Sequence, residues 1–271
     1  MIALVVQARM GSTRCPGKVL ADVQGRPMLA RMLERLSFVS APCQVVLATT
    51  ASEADAPIAR LGEELGVRTF LGHPTDLLDR HLGAARSVSA TAVAKVPSDC
   101  PLVDPRVVDR VLFAYLEEEG QVDYVGNLHP ATWPDGNDVE VMPLHALELA
   151  HREAKKPHER EHTTPFFWDQ PGRFRLRSVI NPTSGAGKDL AMSHRFTVDY
   201  PEDLTFVRAV FGALLPTKGP NFSVEDVLAL LEARPDILAS NARYAGVNWY
   251  RLHLADLRTV DEKDTRWPQE N

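Results

Sequence analysis

Basic side chains and glycines are concentrated in one short segment near the start of the sequence, residues 7–18. Three basic residues lie within ten positions of one another there: Arg9, Arg14 and Lys18. Gly11 and Gly17 lack a Cβ, so the backbone N–H groups beside them can approach an anion closely. Charged donors form strong hydrogen bonds with phosphate oxygens. The segment therefore predicts a loop that holds a triphosphate, with a surface loop of scattered basic residues as the alternative.

The spacing in this loop differs from two well-known phosphate-binding motifs. Residues 11–17 contain one residue too many for G-x-x-x-x-G-K, and Val19 replaces the Ser or Thr that reaches magnesium. Gly187 and Lys188 fail the same test, because Pro182 occupies the first glycine position. No G-x-G-x-x-G follows the first predicted strand. The sequence therefore disfavours a P-loop NTPase and an NAD-dependent enzyme.

Two aspartates stand just beyond the ends of predicted strands. Asp99 follows a strand that ends at Val96, and Asp199 follows one that ends at Val198. Carboxylate oxygens together with phosphate oxygens are the ligands that Mg²⁺ prefers, so the pair predicts a shared magnesium site. Each aspartate taken alone could instead cap the helix that follows it.

A third motif carries a different chemistry. His158, Glu159 and His162 satisfy H-E-x-x-H, the spacing that binds zinc with a glutamate as general base. The two middle positions are Arg160 and Glu161, which would be costly to bury in a zinc helix. A solvated, charged helix start explains the same residues, and a zinc-dependent hydrolase remains the alternative.

The elements that must position these residues alternate between strands and helices over the first 120 residues. This alternation predicts an α/β protein with a largely parallel sheet. The predicted strands span 2–7, 44–49, 67–70, 91–96, 173–179 and 195–198, and helices are expected between them and over 143–155, 158–169 and 202–240. Residues 121–142 have the composition of strands and turns, with a hairpin turn predicted at Asp135 and Gly136.

Five segments in order carry a family resemblance: residues 7–20, 98–105, 134–141, 159–165 and 195–203. Together they resemble the successive motifs of the spore coat polysaccharide biosynthesis protein F family. That family belongs with the cytidylyltransferases that make CMP-activated sugar acids. The resemblance covers residues 1 to about 215. It implies a Rossmann-like GT-A nucleotidyltransferase fold, in which helices flank a mixed, mostly parallel sheet with a small β-rich arm, and it implies CTP as donor and Mg²⁺ as cofactor.

The resemblance also implies roles for individual residues. The nucleotide and its phosphates would be bound by Ala8, Arg9, Gly11, Ser12, Arg14, Lys18 and Asp99. Asp99 and Asp199 would hold the metal, and Arg14, Lys18 and Asp99 would be catalytic. Cys15 stands where the family usually has an apolar residue, and Ser98 where it usually has glycine, which leaves the choice of acceptor open.

The expected acceptor is a small anion, either a sugar acid or a phosphonate such as phosphonoformate. Candidate residues for its pocket are Asp135, Asp138, Glu140, Arg160, His162 and Lys188. Arginine suits such an acceptor because its guanidinium matches carboxylate and phosphonate oxygens. A nucleotide-binding protein that has lost turnover is a further alternative.

Composition and charge limit the partners. Thirty Lys and Arg against 36 Asp and Glu give a formal net charge of −6, which does not favour nucleic-acid binding. We expect no membrane association, because no stretch of eighteen apolar residues occurs, and a cytoplasmic location, because the N-terminus lacks signal-peptide features. The three cysteines predict neither disulfides nor a thiolate zinc site.

The expected organisation is one nucleotidyltransferase domain over residues 1–260, followed by a loose tail from 261 to 271. Residues 121–142 are expected to form a β-rich arm or a lid over the active site. Related CMP-sugar synthetases pair through such an arm, which suggests a homodimer whose contact would use Tyr124, Leu128, Trp133 and Met142.

Overall fold

Strands and helices alternate along the first half of the chain. The computed structural model describes residues 1–170, 172–183 and 189–269. The strands are β1 (Ile2–Gln7), β2 (Asp22–Val23), β3 (Arg26–Pro27), β4 (Cys43–Thr50), β5 (Arg68–Gly72), β6 (Ala92–Pro97), β7 (Tyr124–Gly126), β8 (Glu140–Pro143) and β9 (Leu176–Ser178). The helices are α1 (Met28–Leu36), α2 (Ala56–Glu64), α3 (Leu77–Ser87), α4 (Pro105–Glu117), α5 (Leu144–Glu153), α6 (Pro157–His162), α7 (Pro165–Trp168), α8 (Leu190–Ser193), α9 (Pro201–Lys218), α10 (Val224–Ala233) and α11 (Pro235–Ala239).

Seven strands of the described chain form one sheet in the order β5-β4-β1-β6-β8-β7-β9. The β5-β4-β1-β6 half is parallel, β8 runs antiparallel to both β6 and β7, and β9 is parallel to β7. The predicted mixed, mostly parallel sheet is confirmed. Since β1 and β6 are parallel neighbours, the residues after each of them meet at the same edge, where open α/β sheets bind ligands.

Strand β1 is apolar on both faces because helices cover both faces of the sheet. Ile2, Leu4 and Val6 pack on one face with α1, α2 and α4. Ala3 and Val5 point to the opposite face, against α3, α5 and α7. This alternation is the two-residue period of a strand. Helices α9, α10 and α11 form a further apolar cluster that includes Phe196 and Val198, and this cluster fixes the backbone that leads into Asp199.

Residues 121–142 differ from the expected arm. Their extended parts, β7 and the start of β8, are strands of the main sheet, and the separate two-stranded sheet is formed by β2 and β3. Tyr124, Trp133 and Met142 are buried within the chain. These three side chains therefore do not form an exposed surface for a dimer contact.

Two further segments depart from the sequence prediction. The strand expected at 195–198 is reduced to one bridge between Arg195 and Asp135, because the chain turns there into α9. The tail expected to be loose from residue 261 is packed through residue 269: Thr265 is buried, and the backbone N–H groups of Arg266 and Gln269 donate to the carbonyls of Gly246 and Arg243. In the described ranges, no helix combines the length and the apolar character that a membrane crossing needs.

Gly136, at the predicted hairpin turn, occupies a position that only glycine fits. Its φ is +106°, and a Cβ there would lie 2.7 Å from the backbone carbon of Phe196 and the backbone nitrogen of Thr197. The turn lies within the long β7–β8 connection rather than in a tight hairpin, and it packs directly on the segment that leads to Asp199. The backbone at Gly136 therefore packs closely against the backbone of Phe196 and Thr197.

Substitution Gly136→Ala is expected to lower the free energy of unfolding by more than the roughly 1–3 kcal/mol of a strained backbone alone, because two backbone segments must also separate. Urea denaturation measures the loss. The matched control is Gly120→Ala, at φ +82° with open space around its Cβ, which isolates the backbone cost. Equal losses in the two variants would refute the close-packing argument.

Candidate active site

A cavity of about 1520 Å³ opens at the carboxyl edge of β1 and β6. Its walls come from the loop after β1, the residues after β6, the β7–β8 connection and the segment 246–264. Pockets for one small ligand measure roughly 300–1,000 Å³. The cavity is therefore large enough for a nucleotide and a second ligand side by side.

The loop after β1 forms one end of this cavity. The loop residues that line the cavity include all six expected around the nucleotide: Ala8, Arg9, Gly11, Ser12, Arg14 and Lys18. The Met10 N–H donates to Asp55 Oδ1 at 2.7 Å, which ties the loop to the segment before α2. Gly17 adopts φ +69° where the loop turns into the short helical turn that carries Lys18. The loop is thus held by its backbone, while Arg9 and Arg14 remain exposed.

Asp99 and Asp199, one hundred positions apart, converge on Lys18. The Lys18 Nζ lies 3.4 Å from Asp99 Oδ2 and 3.1 Å from Asp199 Oδ1, and it also donates to the Val198 carbonyl. Arg14 Nη2 lies 2.8 Å from the same Asp199 oxygen. Burial alone would lower the pKa of Lys18, but the two carboxylates raise it above its ordinary value. Lys18 is therefore a permanent cation in the wall of the cavity.

The two carboxylates have the donor chemistry of a divalent-cation site. Burial would raise the pKa of Asp199, but the charges of Lys18, Arg14 and Arg195 lower it below its ordinary value, so the group is ionised. Both aspartates reach one ammonium atom and both line the cavity. Hard anionic oxygens that converge on one point suit a cation such as Mg²⁺ or Mn²⁺. Such a cation would compete with Lys18 for the two carboxylates.

Arg195 orients Asp199, a role that the sequence prediction did not assign. The Arg195 guanidinium is buried and contacts three carboxylates: Asp199 Oδ2 at 3.0 Å, Asp203 Oδ1 at 3.0 Å and Asp135 Oδ2 at 3.2 Å. It also donates to the Val247 carbonyl at 2.7 Å. A single arginine directly before the β-forming residues Phe196, Thr197 and Val198 is the signal that could have identified it.

The acidic residues expected at the acceptor, Asp135, Asp138 and Glu140, also line the cavity. Asp135 shares Arg195 with Asp199 and so lies beside the metal carboxylates. The part of the cavity lined by Asp138 and Glu140 is here called the acceptor end.

Glu140 is buried, with Lys95 Nζ at 2.7 Å and the Tyr124 hydroxyl at 2.8 Å. Burial would raise the pKa of Glu140, but Lys95 lowers it. The sequence prediction missed Lys95, although a lone charge inside the apolar strand β6 is a visible signal.

Asp138 differs from Glu140 because no cation is paired with it in the described residues. Its carboxylate accepts from the Gly136 N–H at 3.3 Å. Burial raises the pKa of Asp138 to about 6. Asp138 is therefore the carboxyl group at this end that is free to accept a hydrogen bond from a ligand.

Stacked rings form the remaining side of the acceptor end, here called the aromatic wall. Its members are His129, His162, Trp168, Trp249 and Tyr250. His129 stacks on Trp168 with 4.0 Å between ring centroids, and His162 stacks on Trp249 at 3.9 Å. Burial lowers the pKa of His129 to about 4 and that of His162 well below its ordinary value, so both rings are neutral. The wall therefore offers an uncharged, flat surface to a ligand.

One predicted acceptor residue, Arg160, does not line the cavity. Arg160 binds Asp76, with Nε at 2.8 Å from Oδ2, and donates to the His151 carbonyl at 2.7 Å, and it is not among the described residues that line the cavity. The helical phase of α6 turns it away from His162. Its assignment to the acceptor was wrong. Lys188 lies outside the described residues.

The H-E-x-x-H motif does not form the zinc site of the hydrolase alternative. Glu159 Oε2 accepts hydrogen bonds from the Lys155 and Lys156 N–H groups, each at 3.2 Å, and so closes the start of its own helix. His162 stacks on Trp249 in the aromatic wall, and it is not one of the residues that share a candidate metal position with His158 in the described chain. The general base of the zinc-hydrolase alternative is therefore already bound, and that alternative loses its support.

A cationic loop facing paired aspartates at the edge of an α/β sheet is the arrangement of a nucleotidyltransferase. A family model described as cytidylyltransferase matches residues 3–229. The chain therefore belongs to the cytidylyltransferase family. The residues matched end before the segment 246–264, which supplies Trp249 and Tyr250 to the cavity.

Individual relatives agree with this assignment. The chain is 26% identical to the spore coat polysaccharide biosynthesis protein SpsF of Bacillus subtilis, over 87% of this chain and 95% of that protein. It is similar to the structure of a cytidylyltransferase from Leptospira borgpetersenii, at 28% identity and a TM-score of 0.80, covering 88% of this chain and 96% of that one. A CMP:2-keto-3-deoxy-manno-octonic acid synthetase complexed with CTP shares the fold at 19% identity and a TM-score of 0.57, over 78% of this chain and 98% of that one. The predicted family resemblance is confirmed.

Proposed function

We propose that this cytidylyltransferase transfers CMP from CTP to a small anionic acceptor, with Mg²⁺ as cofactor and pyrophosphate as the second product. The observation that carries the proposal is the convergence of Arg14, Lys18, Asp99 and Asp199 at one end of a cavity that is large enough for two ligands. Cations for the phosphates and carboxylates for a metal are the groups that phosphoryl transfer requires.

In the reaction, an oxygen of the acceptor forms a bond to the α-phosphorus of CTP. The bond from that phosphorus to the bridging oxygen breaks, and pyrophosphate leaves with the electron pair. Arg14 and Lys18 hold the β- and γ-phosphates and neutralise the charge that develops on them. Asp99 and Asp199 would hold Mg²⁺, which when bound lends positive charge to the phosphate oxygens. Arg195 keeps the Asp199 carboxylate aimed at this point.

The acceptor end favours a sugar acid over a smaller phosphonate. Its aromatic wall can pack against the apolar face of a sugar ring, and the Asp138 carboxylate can accept hydrogen bonds from sugar hydroxyls. Lys95 is already paired with Glu140 and Lys263 with Asp261, whereas Arg251 supplies positive charge along the cavity lining, which suits the acid group. A phosphonate such as phosphonoformate would leave most of this surface without contacts.

The test is pyrophosphate release from CTP, UTP, ATP and GTP with Mg²⁺, measured across a panel of sugar acids and small phosphonates. We expect release with CTP and a sugar acid only. Pyrophosphate release with CTP and only the phosphonates would overturn the sugar acid as acceptor. Release only with a nucleotide other than CTP would overturn CTP as donor. CTP binding without release for any acceptor would favour the non-catalytic alternative.

The homodimer and the cytoplasmic location stay predictions. Leu176 and Ile180 are exposed at the β9 end of the sheet, and this apolar edge supports a dimer contact there rather than at Tyr124, Trp133 or Met142. Light scattering of the purified chain measures the mass directly.

A further inference from the structure

His158, the first histidine of the H-E-x-x-H motif, has partners elsewhere in the chain. His158 in α6, together with His253 and Asp256, places one potential ligand atom per residue so that all three atoms lie within 4.8 Å of one another. We call these three residues the His–His–Asp cluster. His253 and Asp256 belong to the segment that follows the residues matched by the family model.

Local backbone structure explains why the cluster forms. The backbone N–H groups of Asp256 and Leu257 both donate to the His253 carbonyl, at 2.9 and 3.1 Å, and form one helical turn. Residues three apart in such a turn share a face. Lys156 Nζ donates to the Asp256 carbonyl at 3.2 Å, which ties the turn to the start of α6. The ring of Trp249 lies 6.4 Å from that of His158 and 5.7 Å from that of His253, between centroids.

The His158 ring itself lacks a partner that its environment requires. The side chain is 3% exposed, and its Nε2 has no hydrogen-bond partner among the residues described. A buried polar atom without a hydrogen-bond partner destabilises the fold. An additional ligand bound at Nε2 would remove that destabilisation.

We propose that the His–His–Asp cluster binds a transition-metal ion, with Zn²⁺ as the best match. Two imidazole nitrogens and one carboxylate oxygen are a common donor set for zinc, whereas Mg²⁺ prefers oxygen ligands alone. Asp256 is 62% exposed in its side chain and His253 28%, so water can complete the coordination from the solvent side. The site is distinct from the carboxylate pair at Lys18.

The place of the cluster in the fold gives the ion a structural role. The ion would join α6 to the segment 246–264, which carries Trp249, Tyr250 and Lys263 of the acceptor end. The metal thus fixes one wall of the cavity and takes no part in group transfer.

Calorimetric titration of the metal-free, full-length protein with Zn²⁺ in excess Mg²⁺ tests the proposal. We expect one Zn²⁺ per chain and a rise in melting temperature on binding. His253→Ala and Asp256→Asn should each weaken zinc binding at least about a hundredfold, more than the loss of an outer-shell partner of a metal ligand. Both residues are partly exposed, so the variants should fold, and circular dichroism checks this.

The matched control is His145→Ala, which removes an exposed histidine on the neighbouring helix α5. It should bind zinc as the natural chain does, with the same rise in melting temperature. Absence of stoichiometric zinc in the natural chain would overturn the proposal. So would zinc binding that survives both His253→Ala and Asp256→Asn unchanged.

Discussion

Replacing Lys18 by alanine is expected to lower the turnover of CTP at least about a hundredfold, since losing a donor that acts on developing negative charge costs roughly 3–4 kcal/mol. The ammonium of Lys18 is almost fully buried and lies between Asp99 and Asp199. Alanine leaves those two carboxylates facing the phosphates without the cation that separates them. The loss should appear mainly in kcat, because the charge on the departing pyrophosphate develops in the transition state.

Pyrophosphate release with the true acceptor, measured over a range of CTP concentrations, separates kcat from KM. Lys18→Arg keeps the charge but not the compact ammonium, and we expect it to recover only part of the rate. Lys155→Ala, at an exposed position outside the cavity, should leave both constants unchanged. Near-normal pyrophosphate release by Lys18→Ala would show that Lys18 takes no part in the reaction.

A second variant tests the metal carboxylates. Asp99→Asn preserves the shape of the side chain and removes its charge, so a hard divalent cation loses an anionic ligand. We expect a fall in kcat of at least about a hundredfold, comparable to that of Lys18→Ala. Raising the Mg²⁺ concentration should restore part of the Asp99→Asn rate but none of the Lys18→Ala rate. Equal responses of the two variants to Mg²⁺ would contradict the assignment of Asp99 as a ligand.

The parts of the site that the sequence predicted are those fixed by local structure. The loop after β1 follows a buried strand directly, so its position at the sheet edge depends on one strand and one turn. Asp99 likewise follows β6, which is parallel to β1, so the same sheet edge brings it to the loop. Asp199 does not follow a strand of the sheet; the Val198 N–H, which donates to the Asp99 carbonyl at 2.7 Å, places it there.

The parts that the sequence did not predict depend on the pairing of distant segments. Lys95 meets Glu140 because β8 inserts beside β6 and runs antiparallel to it. The residue pattern of neither strand shows which residues of the two strands will pair. The segment 246–264 packs over the cavity through isolated turns and rings. Its sequence has no strand or helix periodicity, so no packed structure was predicted for it. For the same reason the cluster around His253 was not predicted.

Arg160 shows a different limit. The fourth motif was recognised, and the helix expected over 158–169 is divided into α6 and α7. A six-residue helix such as α6 gives too little periodicity to fix its phase. Arg160 and His162 lie about 200° apart around the helix, so a rotation of about half a turn decides which of them faces the cavity. The contact with Asp76, eighty-four positions away, sets that rotation, and only the tertiary structure supplies it.

Replacing Arg195 by methionine is expected to lower the free energy of unfolding by about 3–5 kcal/mol, because removing one member of a buried charge network leaves its partners uncompensated. Asp203 is fully buried and its carboxylate lies 3.0 Å from Arg195 Nε. Methionine fills a similar volume, so the loss reports on charge rather than on a cavity. Urea denaturation measures it, and Arg234→Met is the matched control: its arginine is exposed and pairs with exposed Asp236, so a change below about 0.5 kcal/mol is expected.

A second variant of Arg195 separates its contribution to the stability of the fold from its role in orienting the Asp199 carboxylate. Arg195→Lys retains a charge near Asp203 but cannot contact Asp135 and Asp199 at once, since an ammonium lacks the planar fork of a guanidinium. This variant should fold with a smaller loss of stability than Arg195→Met and still show a reduced kcat, because Asp199 is no longer held in place. If Arg195→Lys keeps the natural kcat while losing stability, Arg195 supports the fold alone, and the Asp199 carboxylate must be oriented by Lys18 and Arg14 without it.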